Sequence, residues 1–201
     1  MATRTQARPV DPLPAAPHWR DRTGLTLADI EDLVQARAFT EFDRLELING
    51  RLVEMSPKGL RHENVRHQLT YFLTTRSAST PVFVSAEAQF NLADDLFLNP
   101  DILLHPKSII TSSVRGPTSM LVIEIADTSL KSDLDAKARI YAAHGVPEYW
   151  VINAWPLVTT VHRDPTPEGY RTVANIAENR PLVLLLAPNL TVQLAQFGFN
   201  G

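Results

Sequence analysis

The chain has 201 residues and 44% of them are hydrophobic, which is enough to bury one sizeable core, so we expect a single domain. It contains no cysteine, which excludes a disulfide framework and a thiolate-bound zinc site and is typical of a reducing compartment. The formal net charge is -3, so the chain lacks the overall basic excess by which nucleic-acid-binding domains usually attract their ligand.

The first residues, MATRTQARPVDPLPAAP, are rich in proline and have no apolar segment of the kind that a secretion signal needs. We predict a flexible, proline-rich arm over residues 1–23 and one domain over residues 24–201. No apolar run approaches the roughly 20 residues that a membrane-spanning helix requires. The expected location is therefore the cytoplasm, with no membrane partner.

A helix and a hairpin are predicted next. Thr26 followed by Asp29 is typical of a helix N-terminus, and the apolar residues after it predict a helix from about Leu27 to Arg37. In RLELINGRLVEM, two arms of alternating polarity flank Asn49-Gly50, the strongest short signal for a β-hairpin. Glu46 lies in the first arm, where an ordinary outward-facing acid is the default interpretation.

Apolar side chains at helical spacing predict a second helix from about Leu60 to Ser77. The chain is locally basic here, and a solvated helix face is the commoner meaning of such a cluster. His62 shares a helical face with Val65 and Leu69, so a hydrogen-bonded core or capping histidine is favoured over a catalytic one. The basic and histidine side chains of this region are Lys58, Arg61, His62, Arg66, His67 and Arg76.

Three strand-like segments follow, PVFVSAEAQFNL, FLNPDILLH and SMLVIEIAD, separated by polar or Gly/Pro-containing connections. A helix from about Asp133 to His144, ended by Gly145, leads to a further strand, EYWVIN. LVTTVHR and GYRTVANI add an antiparallel edge, and LTVQLAQF closes the chain. This order predicts an α/β layered domain with a mixed sheet, in which the apolar strand SMLVIEIA is central.

Acidic residues interrupt these apolar strands. Glu124 lies in the middle of the central strand, where a lone ionised carboxylate is costly, so it must be protonated, paired or bound to a cation. Asp101 opens the preceding strand and Glu87 is a third acid within a strand. Oxygen ligands without sulfur suit Mg²⁺; alternatively, each acid pairs with an arginine or lies at a solvated strand end. We favour that alternative for Asp101 alone and a functional role for Glu124.

The helical segment DLDAKARIYAAH places Asp133, Lys137 and Tyr141 four residues apart on one face. Lys137 either forms an exposed ion pair with Asp133 or reaches back over the sheet to the carboxylates. The spacing leaves both interpretations open.

Taken together, LELINGRLVEMSP, RHENV, NPDILL, MLVIEIADTS and DLDAKARIYAAHGVPEYWVIN resemble the Uma-type restriction endonuclease family of the PD-(D/E)XK, or restriction-endonuclease-like, superfamily. The resemblance covers about Thr26 to Arg163. It implies a three-layer α/β fold with a mixed central sheet flanked by helices, a core order of αβββαβ, and an added N-terminal helix and β-hairpin.

The resemblance also implies roles for particular residues. Asp101 matches the aspartate of the PD element and Glu124 the acid of the (D/E)XK element. Ala126 stands where the superfamily places its lysine, and Lys137 matches a lysine that this branch takes from the following helix. Glu46, His62 and Glu87 fall on further matching positions. Asp127-Thr128 replaces the Ser-Pro of family members and adds negative charge near the site.

The implied activity is Mg²⁺-dependent hydrolysis of DNA, with Mn²⁺ able to substitute for Mg²⁺. Asp101, Glu124 and the carbonyl of Ile125 would hold the ion, and Lys137 would orient or help to deprotonate a water molecule. Glu87 or His62 could hold a second ion. The expected phosphate contacts are Lys58, Arg61 and Arg66.

Two other functions remain open. The acidic balance and the altered ADTS segment favour a catalytically inactive module of the same fold that binds nucleic acid or a protein partner. A hydrolase of another phosphate-containing substrate is a further alternative, because a fold does not fix a function. Cutting of both DNA strands would favour a homodimer.

Overall fold

The structure is a computed structural model that describes residues 22–39 and 44–197. Nearly all of the predicted proline-rich arm lies outside these described residues. Within them, no helix is both long enough and apolar enough to cross a lipid bilayer.

Twelve strands and a few helices make up the described chain, in three sheets. The helical segments are α1 (Leu27–Gln35), α2 (Leu60–Ser77), α3 (Leu130–Ser132), a π-helical turn (Asp133–Lys137) and α4 (Ala138–Ala143), with short 3-10 turns at Thr111–Ser113, Gly116–Thr118 and Leu194–Phe197. The strands are β1 (Leu45–Ile48), β2 (Arg51–Glu54), β3 (Val82–Ala86), β4 (Phe90–Ala93), β5 (Leu96–Leu98), β6 (Ile102–Pro106), β7 (Leu121–Ala126), β8 (Glu148–Asn153), β9 (Thr159–Thr166), β10 (Gly169–Ile176), β11 (Leu182–Val183) and β12 (Thr191–Val192).

The central sheet has six strands in the order β10-β9-β8-β7-β6-β3. Its β7–β8 pair is parallel and the other pairs are antiparallel, so the sheet is mixed as predicted. A second sheet has the order β2-β1-β5-β4, and β11 and β12 form a small third one. Along the chain, α2, β3, β6, β7, the composite helix formed by α3, the π-turn and α4, and β8 give the predicted αβββαβ core. The predicted fold class is confirmed.

The added N-terminal helix and hairpin are also present. At the start of α1, Thr26 accepts a hydrogen bond from the Asp29 N–H, and the Asp29 carboxylate accepts one from the Thr26 N–H. In the hairpin turn, Asn49 and Gly50 have φ of 50° and 70°, as a two-residue turn between twisted strands requires.

Two of the predicted strands are in fact divided between sheets. PVFVSAEAQFNL ends its first strand at Ala86, Glu87 takes a φ of 49°, and the remainder forms β4 in the second sheet. FLNPDILLH likewise divides at Asn99-Pro100, where proline cannot donate to a ladder, into β5 and β6. The prediction that Glu87 lies inside a strand is therefore wrong: it lies in the crossing between the two sheets.

Strand β7 is buried along its whole length, as predicted. Leu121, Ile123 and Ile125 face a core shared with α2. Val122 and Ala126 face the other side, where the composite helix and strands of the second sheet supply the apolar partners. Glu124 shares that second side by strand alternation, so its carboxylate points to the place where the composite helix and the second sheet meet.

Candidate active site

Glu124 is the centre of a buried hydrogen-bond group. Glu124 is 4% exposed, and its Oε1 accepts hydrogen bonds from Lys137 Nζ and from the Tyr141 hydroxyl, both at 3.0 Å. Lys137 Nζ also donates to Glu46 Oε1 at 3.1 Å. One ammonium group therefore lies between two buried carboxyl groups from different sheets.

The position of Lys137 depends on the π-turn. Asp133 and Lys137 stand at the two ends of this turn, and both line the same cavity. Asp133 is buried and accepts a hydrogen bond from Ser129 Oγ at 2.6 Å. Of the two interpretations of Lys137, the structure shows the one in which the lysine contacts the carboxylates over the sheet.

Glu46 differs from its default interpretation. The outward-facing orientation is wrong, because Glu46 is buried and its Oε1 accepts hydrogen bonds from Lys137 and from the Asn99 N–H, the latter at 3.2 Å. Alternation in β1 correctly places Glu46 on the face opposite to Leu45 and Leu47, but that face is covered by the site instead of solvent.

Asp101 lies at the start of β6 and is 2% exposed. Its Oδ2 accepts hydrogen bonds from the Ile125 N–H at 2.7 Å and from His62 Nε2 at 2.9 Å. Its Oδ1 is ion-paired with Lys58 Nζ. Burial raises the pKa of Asp101, but the His62 hydrogen bond and the Lys58 charge outweigh burial and hold that pKa below its usual value. Asp101 is therefore kept ionised.

Glu87 is surrounded by cations. Its Oε1 accepts from Lys58 Nζ at 2.9 Å and from Arg44 at 2.8 Å, and Oε2 lies 3.2 Å from Arg66. Burial raises the pKa of Glu87, but the Lys58 hydrogen bond and the nearby charges lower it further than burial raises it. Glu87 is itself exposed, and through Lys58 it is linked to the buried acid Asp101.

Only part of the basic cluster is a solvated helix face, since Arg61, His67 and Arg76 are exposed on α2. The side chains of Lys58 and Arg66 are 9% and 11% exposed, and both are paired with acids, so they are not free in this arrangement to meet a phosphate. Arg61 is exposed, and its guanidinium lies 5.3 Å from the centre of the Trp155 ring.

Burial sets the protonation of Glu124. It raises the pKa of this carboxyl to about 8, even though the Lys137 charge acts in the opposite direction. Glu124 and Glu46 raise the pKa of Lys137 above its ordinary value although burial lowers it, so the lysine stays charged. Because the single ammonium of Lys137 faces both Glu46 and Glu124, one negative charge is left uncompensated, which favours a proton or a further cation at Glu124.

One cavity of about 390 Å³ is lined by the polar residues Glu46, Lys58, His62, Asp101, Glu124, Asp133 and Lys137, together with Ile125 and the exposed Asp127. Glu87 and Arg44 line a second cavity. The described residues contain no group of three or more His, Asp or Glu side chains placed together as metal ligands. Mg²⁺ usually takes only one or two protein carboxylates and completes its shell with water and substrate phosphates. The donor set of Asp101, Glu124 and the Ile125 carbonyl fits such an ion.

The sequence patterns predicted no role for three residues: Tyr141, Arg44 and Trp155. Tyr141 is buried and donates to Glu124, and its spacing of four residues from Lys137 is the signal that could have indicated this. Arg44 and Trp155 have no such signal, because their partners are distant in the sequence. Arg44 pairs with Glu87, 43 residues later, and Trp155 contacts Arg61 from a different part of the chain.

Comparison with known proteins gives two similarities. The Uma2 family model, described as "Putative restriction endonuclease", matches residues 30–195. A crystal structure of "a putative nuclease belonging to DUF820" from Anabaena variabilis aligns with a TM-score of 0.69 at 14% sequence identity, over 86% of this chain and 97% of that chain. At this identity the likeness shows a shared fold. No curated protein matches the sequence.

Proposed function

The chain belongs to the Uma2 family, as its sequence predicts, and from this membership we propose that it is a Mg²⁺-dependent endonuclease that hydrolyses DNA phosphodiester bonds. Membership of a family described as restriction endonucleases supports nuclease activity in general. The observation that carries the specific proposal is the convergence of Asp101, Glu124 and Lys137 on one cavity.

Asp101, Glu124 and the Ile125 carbonyl would hold the ion. The N–H of Ile125 already binds Asp101, and because the N–H and C=O of one strand residue point to the same side, its carbonyl faces the same edge of β7. When bound, Mg²⁺ polarises the scissile phosphate and lowers the pKa of a bound water molecule. His62 orients Asp101 through the Nε2 hydrogen bond.

Lys137 would act as a fixed positive charge. Its raised pKa makes it a poor base, so it would orient the attacking water and stabilise the negative charge that develops on the phosphate. Glu46 and Tyr141 serve as positioning residues, since they hold the ammonium and the Glu124 carboxylate in place.

The position of Lys58 favours one bound metal ion over two. Its ammonium group bridges Asp101 and Glu87, which is the charge compensation that a second metal ion would otherwise supply. Glu87 already faces three cationic side chains. We therefore assign Glu87 to the placement of Lys58, and Arg61 to phosphate contact. Cleavage of both strands would require a second site, which a homodimer would provide.

The test is DNA cleavage by the purified protein with Mg²⁺, with Mn²⁺ and with EDTA. E124Q and K137M should lose at least about a hundredfold in rate, the range for loss of one transition-state contact. D135N and K131M are matched controls, because both residues are exposed on the same composite helix and should leave cleavage unchanged. Cleavage that persists in both E124Q and K137M would contradict the proposal.

An inactive module of the same fold is the second candidate, favoured by Lys58 already occupying Asp101 and by the exposed Asp127 in the lining of the cavity. Mg²⁺ binding separates the two. An ion held by Asp101 and Glu124 raises the melting temperature by mass action, and E124Q removes the rise. Equal melting temperatures of the wild type with Mg²⁺ and with EDTA would favour the module.

A further inference from the structure

We infer that Trp155 and Arg61 form a nucleobase-stacking platform beside the residues that line the cavity, so that the preferred substrate has an unpaired base next to the scissile phosphate. This inference rests on the proposed function and names the class of nucleic acid on which that site acts.

Trp155 is an exposed aromatic residue with a guanidinium placed over its ring. It is 61% exposed, whereas Trp150, five residues earlier, is fully buried. Arg61 lies over the ring at 5.3 Å from its centre, and the residue keeps 61% of its surface accessible to solvent. An aromatic ring supported by a guanidinium is suited to stacking with a nucleobase.

Both residues lie next in the chain to segments that are tied to the site. Arg61 immediately precedes His62, whose ring contacts Asp101. On the other side, the residue before Trp155 donates its N–H to the Ala126 carbonyl at 2.7 Å, two residues beyond Glu124. A base on Trp155 would therefore lie close to a phosphate in the cavity.

Charge favours nucleic acid over a protein partner. Arg61 forms no ion pair with any acid in the described part of the chain, unlike Lys58 and Arg66, so its charge is available to a phosphate. Every base has a π-face, so stacking here would be insensitive to sequence. In a duplex those faces are covered by neighbouring bases, which is why the platform selects single-stranded or locally unpaired DNA.

The experiment measures binding of fluorescent oligonucleotides by anisotropy in Ca²⁺, a hard cation that accepts the same oxygen ligands as Mg²⁺, with oligonucleotide integrity checked on gels. The probes are a single-stranded oligothymidine, the same length of abasic backbone, and a duplex. The wild type should prefer oligothymidine over the abasic strand by about tenfold, the value expected for stacking of one base.

W155A should abolish that preference and W155F should keep part of it. Y71A is the matched control, because Tyr71 is 76% exposed on α2 but, within the described residues, has no arginine over its ring, and it should bind as the wild type does. Equal affinity of the wild type for oligothymidine and the abasic strand, unchanged preference in W155A, or no binding of nucleic acid would each overturn the inference.

Cleavage assays on the same preparations keep the two proposals apart. Cleavage by the wild type with W155A equally selective overturns the platform and leaves the nuclease assignment intact. Loss of preference in W155A without any cleavage by the wild type supports the platform and contradicts the nuclease assignment.

Discussion

Lys58 and Lys137 divide the charge compensation of the site between them. Lys137 faces Glu124 and Glu46, and Lys58 faces Asp101 and Glu87. Each lysine comes from outside the central sheet, whereas Glu124 lies on β7 and Asp101 directly precedes the adjoining strand β6. Removal of either lysine leaves a buried acid without its cation, which costs more than the intact pair contributes.

The variant K58M tests this compensation. Asp101 would be left buried without its ammonium partner, so we expect the free energy of unfolding in EDTA to fall by roughly 3 kcal/mol. Mg²⁺ should restore part of that loss and should stabilise K58M more than it stabilises the wild type, because the ion replaces the missing charge. Urea denaturation with and without Mg²⁺ measures both effects.

K131M, which removes an exposed lysine, is the control for K58M and should match the wild type. Wild-type stability of K58M in EDTA would show that Lys58 does not balance Asp101.

Individual site residues could be predicted from the sequence to different degrees. Asp101 and Glu124 stand out because an acid beside an apolar strand needs a partner. Lys137 could not be placed by spacing, since the π-turn that sets its direction leaves no pattern in the sequence. The prediction that Glu46 faces outward was wrong, because strand alternation tells on which side of a strand a residue lies and not what covers that side.

The helices and strands were predicted better than the way in which the strands pair into sheets. The bounds of α2, Leu60–Ser77, match the prediction, because apolar spacing and local helix signals fix a long helix. The hairpin at Asn49-Gly50 was equally readable. Division of two strand-like segments between sheets was not, since membership in a sheet depends on contacts between residues far apart in sequence.

The turn of the β1–β2 hairpin gives a prediction about a single structural element. Gly50 has a φ of 70°, and a Cβ at this position would lie 2.9 Å from the Cα of Gly24. G50A should therefore lower the free energy of unfolding by about 1–2 kcal/mol. It should also reduce cleavage, because β1 carries Glu46. G169A is the comparison, because Gly169 also has a positive φ but has open space around it.

Thermal or urea unfolding and the cleavage assay measure the two effects of G50A. Full stability together with full activity would show that the turn does not position β1.

For the whole molecule, Glu124 links stability to pH. Its pKa is about 8 in the folded metal-free protein against an ordinary value of 4.5, so the folded state binds more protons between these values and stability falls as pH rises. Burial lowers the pKa of His162, which affects stability below its ordinary value of 6.5, and the raised pKa of Lys137 acts above 10.5. Burial also raises the pKa of Asp133, which adds a fall in stability of the same sign, so the variant E124Q, which keeps Asp133, is needed to identify the part due to Glu124.

From about pH 6.5 to about pH 8, the free energy of unfolding of the wild type in EDTA should fall by roughly 1 kcal/mol per pH unit. E124Q, whose amide does not ionise, should lack this fall. Urea denaturation across the range measures it, and parallel curves for the two proteins would contradict the assignment of the shift to Glu124.

The lysine that faces Glu124 is carried by a helix and not by the strand that carries the acid. In a strand, the direction of a side chain alternates; in a helix, each added or deleted residue turns everything beyond it by about 100°. Between Asp127 and Lys137 the number of residues therefore matters more than their kinds. A one-residue insertion there would swing the ammonium away from both carboxyl groups while the sheet beneath kept its register.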